Sequence, residues 1–231
     1  RAKATLQEMA RDTIDAYVAS VSVSSEALRR RLFSPSFARE LQGYTAAEVL
    51  RRHMARCGST DPLSQVQYAD FKSYLPGDIL TKVDRASMAS SLEVRVPLLD
   101  HTLVEWAATL PAGLKLRGGE GKRIFKSALE PYVPREILHR PKQGFVVPVA
   151  QWFRGPLRRR LREQLTGAVL SQCGLFDMKA IESLLDEHQS GRRDHSPTLW
   201  SLSNFEGFLR QVHAVSEPAQ AEPAILLGAG A

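Results

Sequence analysis

The chain has 231 residues, of which 43% are hydrophobic and 24% charged, with a formal net charge of +6 and an isoelectric point near 9.5. That balance belongs to a soluble globular protein of one large domain or one and a half, and it excludes a wholly disordered chain. No apolar run approaches the ~20 residues of a membrane span, and no signal peptide is expected. Two distant cysteines, Cys57 and Cys173, and six histidines without HxxxH spacing argue against a structural metal and for a reducing, cytoplasmic setting.

Apolar residues recur at helical spacing nearly everywhere and no run alternates convincingly, so the fold is expected to be mainly α. In chain order the pattern predicts helices over 2–19, 45–57, 62–75, 78–91, 101–110, 120–130, 148–153, 156–166, 177–189 and 197–213. Ser34-Pro35 and Ser196-Pro197 have the cap-then-proline form that starts a helix. Short rigid connectors stand between them, among them Pro76-Gly77, Val96-Pro97, Gly118-Gly119 and Pro141 to Gly144. After about Ala214 the composition turns to Ala, Pro, Glu and Gln, so 1–213 is read as the folded portion and 214–231 as a flexible tail. The chain opens on Arg1 in place of methionine, and a longer polypeptide is expected.

Four segments can carry chemistry. In 78–91, at 100° per residue, Ile79, Val83 and Ala86 share one arc while Asp78, Lys82 and Arg85 share the opposite one. Asp78 and Lys82 read as a surface pair at i and i+4. Asp84 falls at the border of the apolar arc, where a carboxylate needs a partner or a ligand. In LEVRVPLLD, Glu93 and Arg95 interrupt an apolar run two residues apart, and a mutual or network salt bridge that fixes the chain path, with Asp100 grouped in that network, is preferred there to catalysis.

The third segment, Leu116 to Lys126, sets Gly118, Gly119 and Gly121 ahead of a helix start with Lys122 beside it. Such a loop can wrap a phosphate, although it lacks the spacing and preceding strand of a Walker loop. In the fourth, RPKQGF, Lys142 stands between Pro141 and Gly144. Two lysines in glycine-framed turns suggest cations converging on one anionic group, a convergence that spacing alone leaves open. The arginines at 154, 158, 159, 160 and 162 read as a solvated helix face in preference to a nucleic-acid site.

Taken together, YLPGDILTKVDRASMASSLEVRVPLLDH and LKLRGGEGKRIFKSALEPYVPREILHRPKQGF resemble the asparagine synthase family. The likeness is to the C-terminal part of the synthetase domain of glutamine-dependent asparagine synthetases and β-lactam synthetases. It is specific from about Tyr74 to Phe153 and looser to about Val212. HQSGRRDHSPTLWSLSNFEGFLR further resembles bacterial members linked to exopolysaccharide biosynthesis.

The resemblance implies the helical portion of an α/β adenine-nucleotide α-hydrolase-like domain. It also implies an ATP- and Mg2+-dependent reaction in which a substrate carboxylate is adenylated, pyrophosphate leaves, and ammonia from glutamine forms the amide. Under it Lys142 matches the catalytic lysine, Lys122 a second lysine by the same phosphates, and Asp78 or Asp84 an acidic residue beside the reacting centre. The family's Ser-Gly-Gly-x-Asp-Ser loop and its glutaminase cysteine are absent from this sequence. ATP and Mg2+ are therefore expected to be held mainly by upstream regions, and these residues alone are expected to be inactive. Asparagine, another amide such as that of a sugar acid, and a non-catalytic helical module stay open as alternatives, as does a homodimer. No nucleic acid partner is expected.

Overall fold

The computed structural model describes residues 13–141 and 147–216, and it is mainly helical. Helix α1 spans Thr13–Val21. Ser25 accepts the Leu28 N–H and starts α2, Glu26–Leu32, while Ser34 accepts the Phe37 N–H and starts α3, Pro35–Glu40. α4 covers Ala47–Arg56, and α5, Pro62–Lys72, begins at Asp61, which caps the Ser64 N–H.

A π-helical turn over Leu75–Leu80 then runs into α6, Thr81–Met88, and the Thr81 hydroxyl donates to the Pro76 carbonyl across the junction at 2.7 Å. Proline lacks an N–H, so the regular ladder cannot continue through it, and such wide turns occur often at functional sites. After a 3-10 turn at Pro97–Leu99, Asp100 caps α7, His101–Thr109. A short α8, Ala112–Lys115, leads into a hairpin of β1, Leu116–Arg117, and β2, Glu120–Gly121. α9, Arg123–Leu129, and α10, Arg135–Leu138, follow. Beyond Val147 lie α11, Val149–Arg154, α12, Arg158–Thr166, and α13, Ala168–Gln172. α14, Met178–Gln189, is capped by Asp177, and α15 spans Ser196–Ser216.

The described residues divide into two compact units, one of 13–22 with 44–141 and one of 23–43 with 147–216. The second unit closes a core of Leu32, Phe153, Leu161, Leu165, Leu170, Ile181, Leu184, Leu185 and Leu199. Its early and late segments are stitched by backbone bonds from Ser34 N–H to the Leu175 carbonyl (2.9 Å) and from Asp177 N–H to the Leu32 carbonyl (2.8 Å). Glu206 is buried in this unit, and both carboxylate oxygens are satisfied, by Gln164 and by Arg210.

The first unit packs α1, α4 and α5 together, with Met54 and Ala69 buried. Beyond Ala69 it buries no further hydrophobic side chain among its described residues. The expected buried arc of 78–91 is thus a correction: Val83 and Ala86 are exposed and Ile79 is only half-buried. The forecast helix over 120–130 is also shortened. Its front is the hairpin, where Gly118 and Gly119 take φ values of 57° and 80°. A two-residue turn with positive φ at both central positions suits paired glycines, and the strands are too short for alternation to announce them.

Candidate active site

The π-helical turn and α6 place Asp78, Lys82 and Asp84 on successive turns. Asp78 accepts from Lys82 at 2.9 Å, the surface pair that the spacing predicts. Asp84 lines a cleft of about 460 Å³ with Pro76, Leu80, Ser87, Glu93 and Val96, between α6 and the extended 92–96 segment. Its carboxylate makes no ion pair among the described residues. The structure therefore separates the two acidic candidates, with Asp84 facing a cleft and Asp78 neutralised by Lys82.

Glu93 and Arg95 bond to each other at 2.8 Å, both well exposed. Asp100 does not join them. It accepts the N–H groups of Thr102 and Leu103 and the Thr102 hydroxyl, and these bonds, that hydroxyl first, hold its carboxyl below the usual range. The mutual pair is thus the form that the structure takes, Asp100 serves as a helix cap outside it, and Glu93 also borders the cleft.

Lys122 adopts φ 59°, ψ 31° at the entry to α9. A left-handed lysine carries about 1–2 kcal/mol of backbone strain that glycine would avoid, and three of its four preceding neighbours are glycines. Gly118 and Gly119 have their structural reason in the hairpin turn, and Gly121 pairs with Leu116 across it. Glu120, which the sequence reading passed over, accepts from Lys126 Nζ at 2.7 Å and from His139 Nδ1 at 3.0 Å. Lys126, and secondly His139, keep its carboxyl below the ordinary range. Its signal was available in Glu120 and Lys126 flanking the start of α9, although the contact to His139 spans the turns between α9 and α10. Lys142, Gln143 and Gly144 lie outside the described residues, so the structure does not test whether Lys122 and Lys142 converge.

Of the arginine-rich stretch, Arg158, Arg159 and Arg160 are exposed to solvent, whereas Arg154 and Arg162 are half-buried and bonded to the neighbouring helix. Arg159 pairs with Glu163 at 2.7 Å, Arg162 bonds Asp186 and Gln189, and Arg154 donates to the His188 carbonyl at 3.0 Å. Among the described residues no group of three or more His, Cys, Asp or Glu side chains can hold a metal ion, and no helix is long and apolar enough to cross a membrane.

The family model for asparagine synthase matches residues 2–210. A putative glutamine-hydrolysing asparagine synthetase of Mycobacterium tuberculosis is 40% identical over 163 residues, which is 70% of this chain and 25% of that protein. Glutamine-hydrolysing asparagine synthetase 1 of Bacillus subtilis is 27% identical over 212 residues, 89% of this chain and 32% of that one. The amidase chry2 of Gibberella zeae is 30% identical over 132 residues, 54% of this chain and 20% of that protein. The chain thus spans about a quarter to a third of the length of these two synthetases. No solved structure matches it.

Proposed function

The chain belongs to the asparagine synthase family, and on that premise we propose that it is the C-terminal part of the synthetase domain of an ATP-dependent amidotransferase. In this reading a substrate carboxylate attacks the α-phosphorus of ATP, pyrophosphate leaves, and ammonia displaces AMP from the acyl-adenylate to form the amide. The observation that supports it is the unpaired Asp84 on a cleft whose other wall is the 92–96 segment. A carboxylate kept without a cation is available to a substrate amine or to the incoming nucleophile.

Both steps gather negative charge on oxygen, and fixed ammonium groups stabilise such charge best in a site shielded from water. Lys142 and Lys122 are the cations assigned to it. Lys122 suits a phosphate because its ammonium has no protein partner among the described residues. On the same resemblance, the magnesium that accompanies ATP is assigned mainly to upstream parts of the domain. The exposed apolar side chains of the first unit, Leu92, Leu98, Trp106 and Tyr132 among them, are read as the face that packs on the remainder of that domain.

The test uses the polypeptide extended to the length of its relatives. Pyrophosphate release is assayed with ATP, glutamine and either aspartate or a panel of uronic and other amino acids. Release with one carboxylate names the substrate. Release with none, from a folded protein, overturns the enzymatic reading in favour of a helical interaction module. Lys142→Ala should lower release at least about a hundredfold with the fold intact, and near-normal turnover would remove Lys142 from the mechanism.

A further inference from the structure

The ammonium of Lys122 stands apart within its unit. Of the described lysines there, Lys82 pairs with Asp78, Lys115 donates to Gln67 and to the Ala108 carbonyl, Lys126 pairs with Glu120, and Lys72 lies over the Tyr68 ring. Among the described residues Lys122 has no partner for its ammonium, although a carboxylate sits two residues before it. That carboxylate, Glu120, is the acid nearest to Lys122 in the sequence, and opposite charges so close along an exposed chain attract. It is instead drawn the other way, with Oε1 accepting from Lys126 at 2.7 Å and from His139 at 3.0 Å. Lys126 lies one helical turn inside α9 and His139 follows α10, so the two donors hold Glu120 from separate elements. His139 donates through Nδ1 either as the neutral Nδ1–H tautomer or as the imidazolium.

We propose that Lys126 and His139 are positioning residues that sequester the Glu120 carboxylate and so keep the Lys122 ammonium unneutralised for a phosphate-bearing ligand. The proposal rests on reading Lys122 as an anion-facing cation. It adds what that reading lacks, a reason why the nearest acid does not neutralise the lysine first. The backbone agrees, because the left-handed turn at Lys122 is bracketed by the anchored Glu120 before it and the anchored Lys126 after it.

The test is competitive amine labelling of the 231-residue chain with trace acetic anhydride at fixed pH, read residue by residue by mass spectrometry. In Lys126→Met/His139→Leu, Glu120 loses both donors and turns to Lys122. A carboxylate beside the ammonium favours its charged form and slows labelling of Lys122 about three- to tenfold. Adding Glu120→Gln to that background restores the original rate, which a merely loosened hairpin would not do. An unchanged rate in the double variant, or a slowing that persists with Glu120→Gln, overturns the proposal. Labelling reports on pairing whether or not an amide is formed, so a failure of the enzymatic reading leaves this result separately legible.

Discussion

In the second unit Leu165, Ile181, Leu184, Leu185 and Leu199 are wholly sealed from solvent, whereas in the first Leu92, Leu98 and Trp106 are more than half exposed and Tyr132 is 82% exposed. Both are helical and both carry well-formed caps, so local propensity does not separate them. What differs is closure: one unit buries its own apolar stripes, and the other presents them. Most of the stretch that resembles the family most specifically, from about Tyr74 to Phe153, falls in the unit that does not close, while its end reaches the closed one. Apolar stripes and unpaired Asp84 and Lys122 therefore share one unit, while the sealed unit reads as scaffold.

The largest expected effect tests closure directly. Leu184→Ala should destabilise the second unit by about 2–5 kcal/mol in urea unfolding, since it empties a fully buried site. Leu92→Ala, at 59% exposure, should stay within about 0.5 kcal/mol in the isolated chain. Equal losses would erase the contrast between the units.

Acid should separate them next. Burial, and then the nearby Arg154 guanidinium, push His188 below its ordinary value of 6.5. Hydrogen bonds from His195 and Arg31 draw Glu187 down to about 2 from 4.5. For His188 the unfolded chain takes the proton first, so stability falls as pH drops below 6.5. For Glu187 the contribution is present above 4.5 and is lost as pH falls toward 2. His188→Gln should flatten the thermal-midpoint profile between about pH 7 and 5, and Glu187→Gln should flatten its acid end. A wild-type midpoint constant from pH 7 to 5 would contradict the first assignment.

Much of the second unit is legible in the sequence. Ser34-Pro35 and Ser196-Pro197 do start helices, and 177–189 differs from the observed Met178–Gln189 by a single residue. α2 was missed because Arg29, Arg30 and Arg31 in succession obscure the Leu28 and Leu32 stripe, although Ser25 offered its cap. That residues 23–43 join a core formed by residues after 146 has no local signal, because it depends on pairings some 140 positions apart such as Phe33 with Phe176. At the candidate site the sequence put forward Asp84 and Lys122 without separating Asp84 from Asp78. A helical wheel records angle and leaves out which neighbour neutralises a charge.

Smaller effects sharpen the scaffold side. Asp177→Ala removes the acceptor for the Lys179 and Ala180 N–H groups and should cost about 1 kcal/mol in the same unfolding assay. Glu93→Ala, which breaks an exposed pair with Arg95, should cost less than about 0.5 kcal/mol. A loss above 1 kcal/mol there would show that the 92–96 segment is held by that pair.

The claim that the open unit carries the reacting face is tested most directly by two neighbouring substitutions in the polypeptide extended to the length of its relatives. Asp84→Asn should reduce ATP- and carboxylate-dependent pyrophosphate release about a hundredfold, because it removes the unpaired charge on the cleft. Asp78→Asn should leave release within about threefold, since that carboxylate is already engaged by Lys82. The reverse order of effects, or no effect from either, would contradict the account.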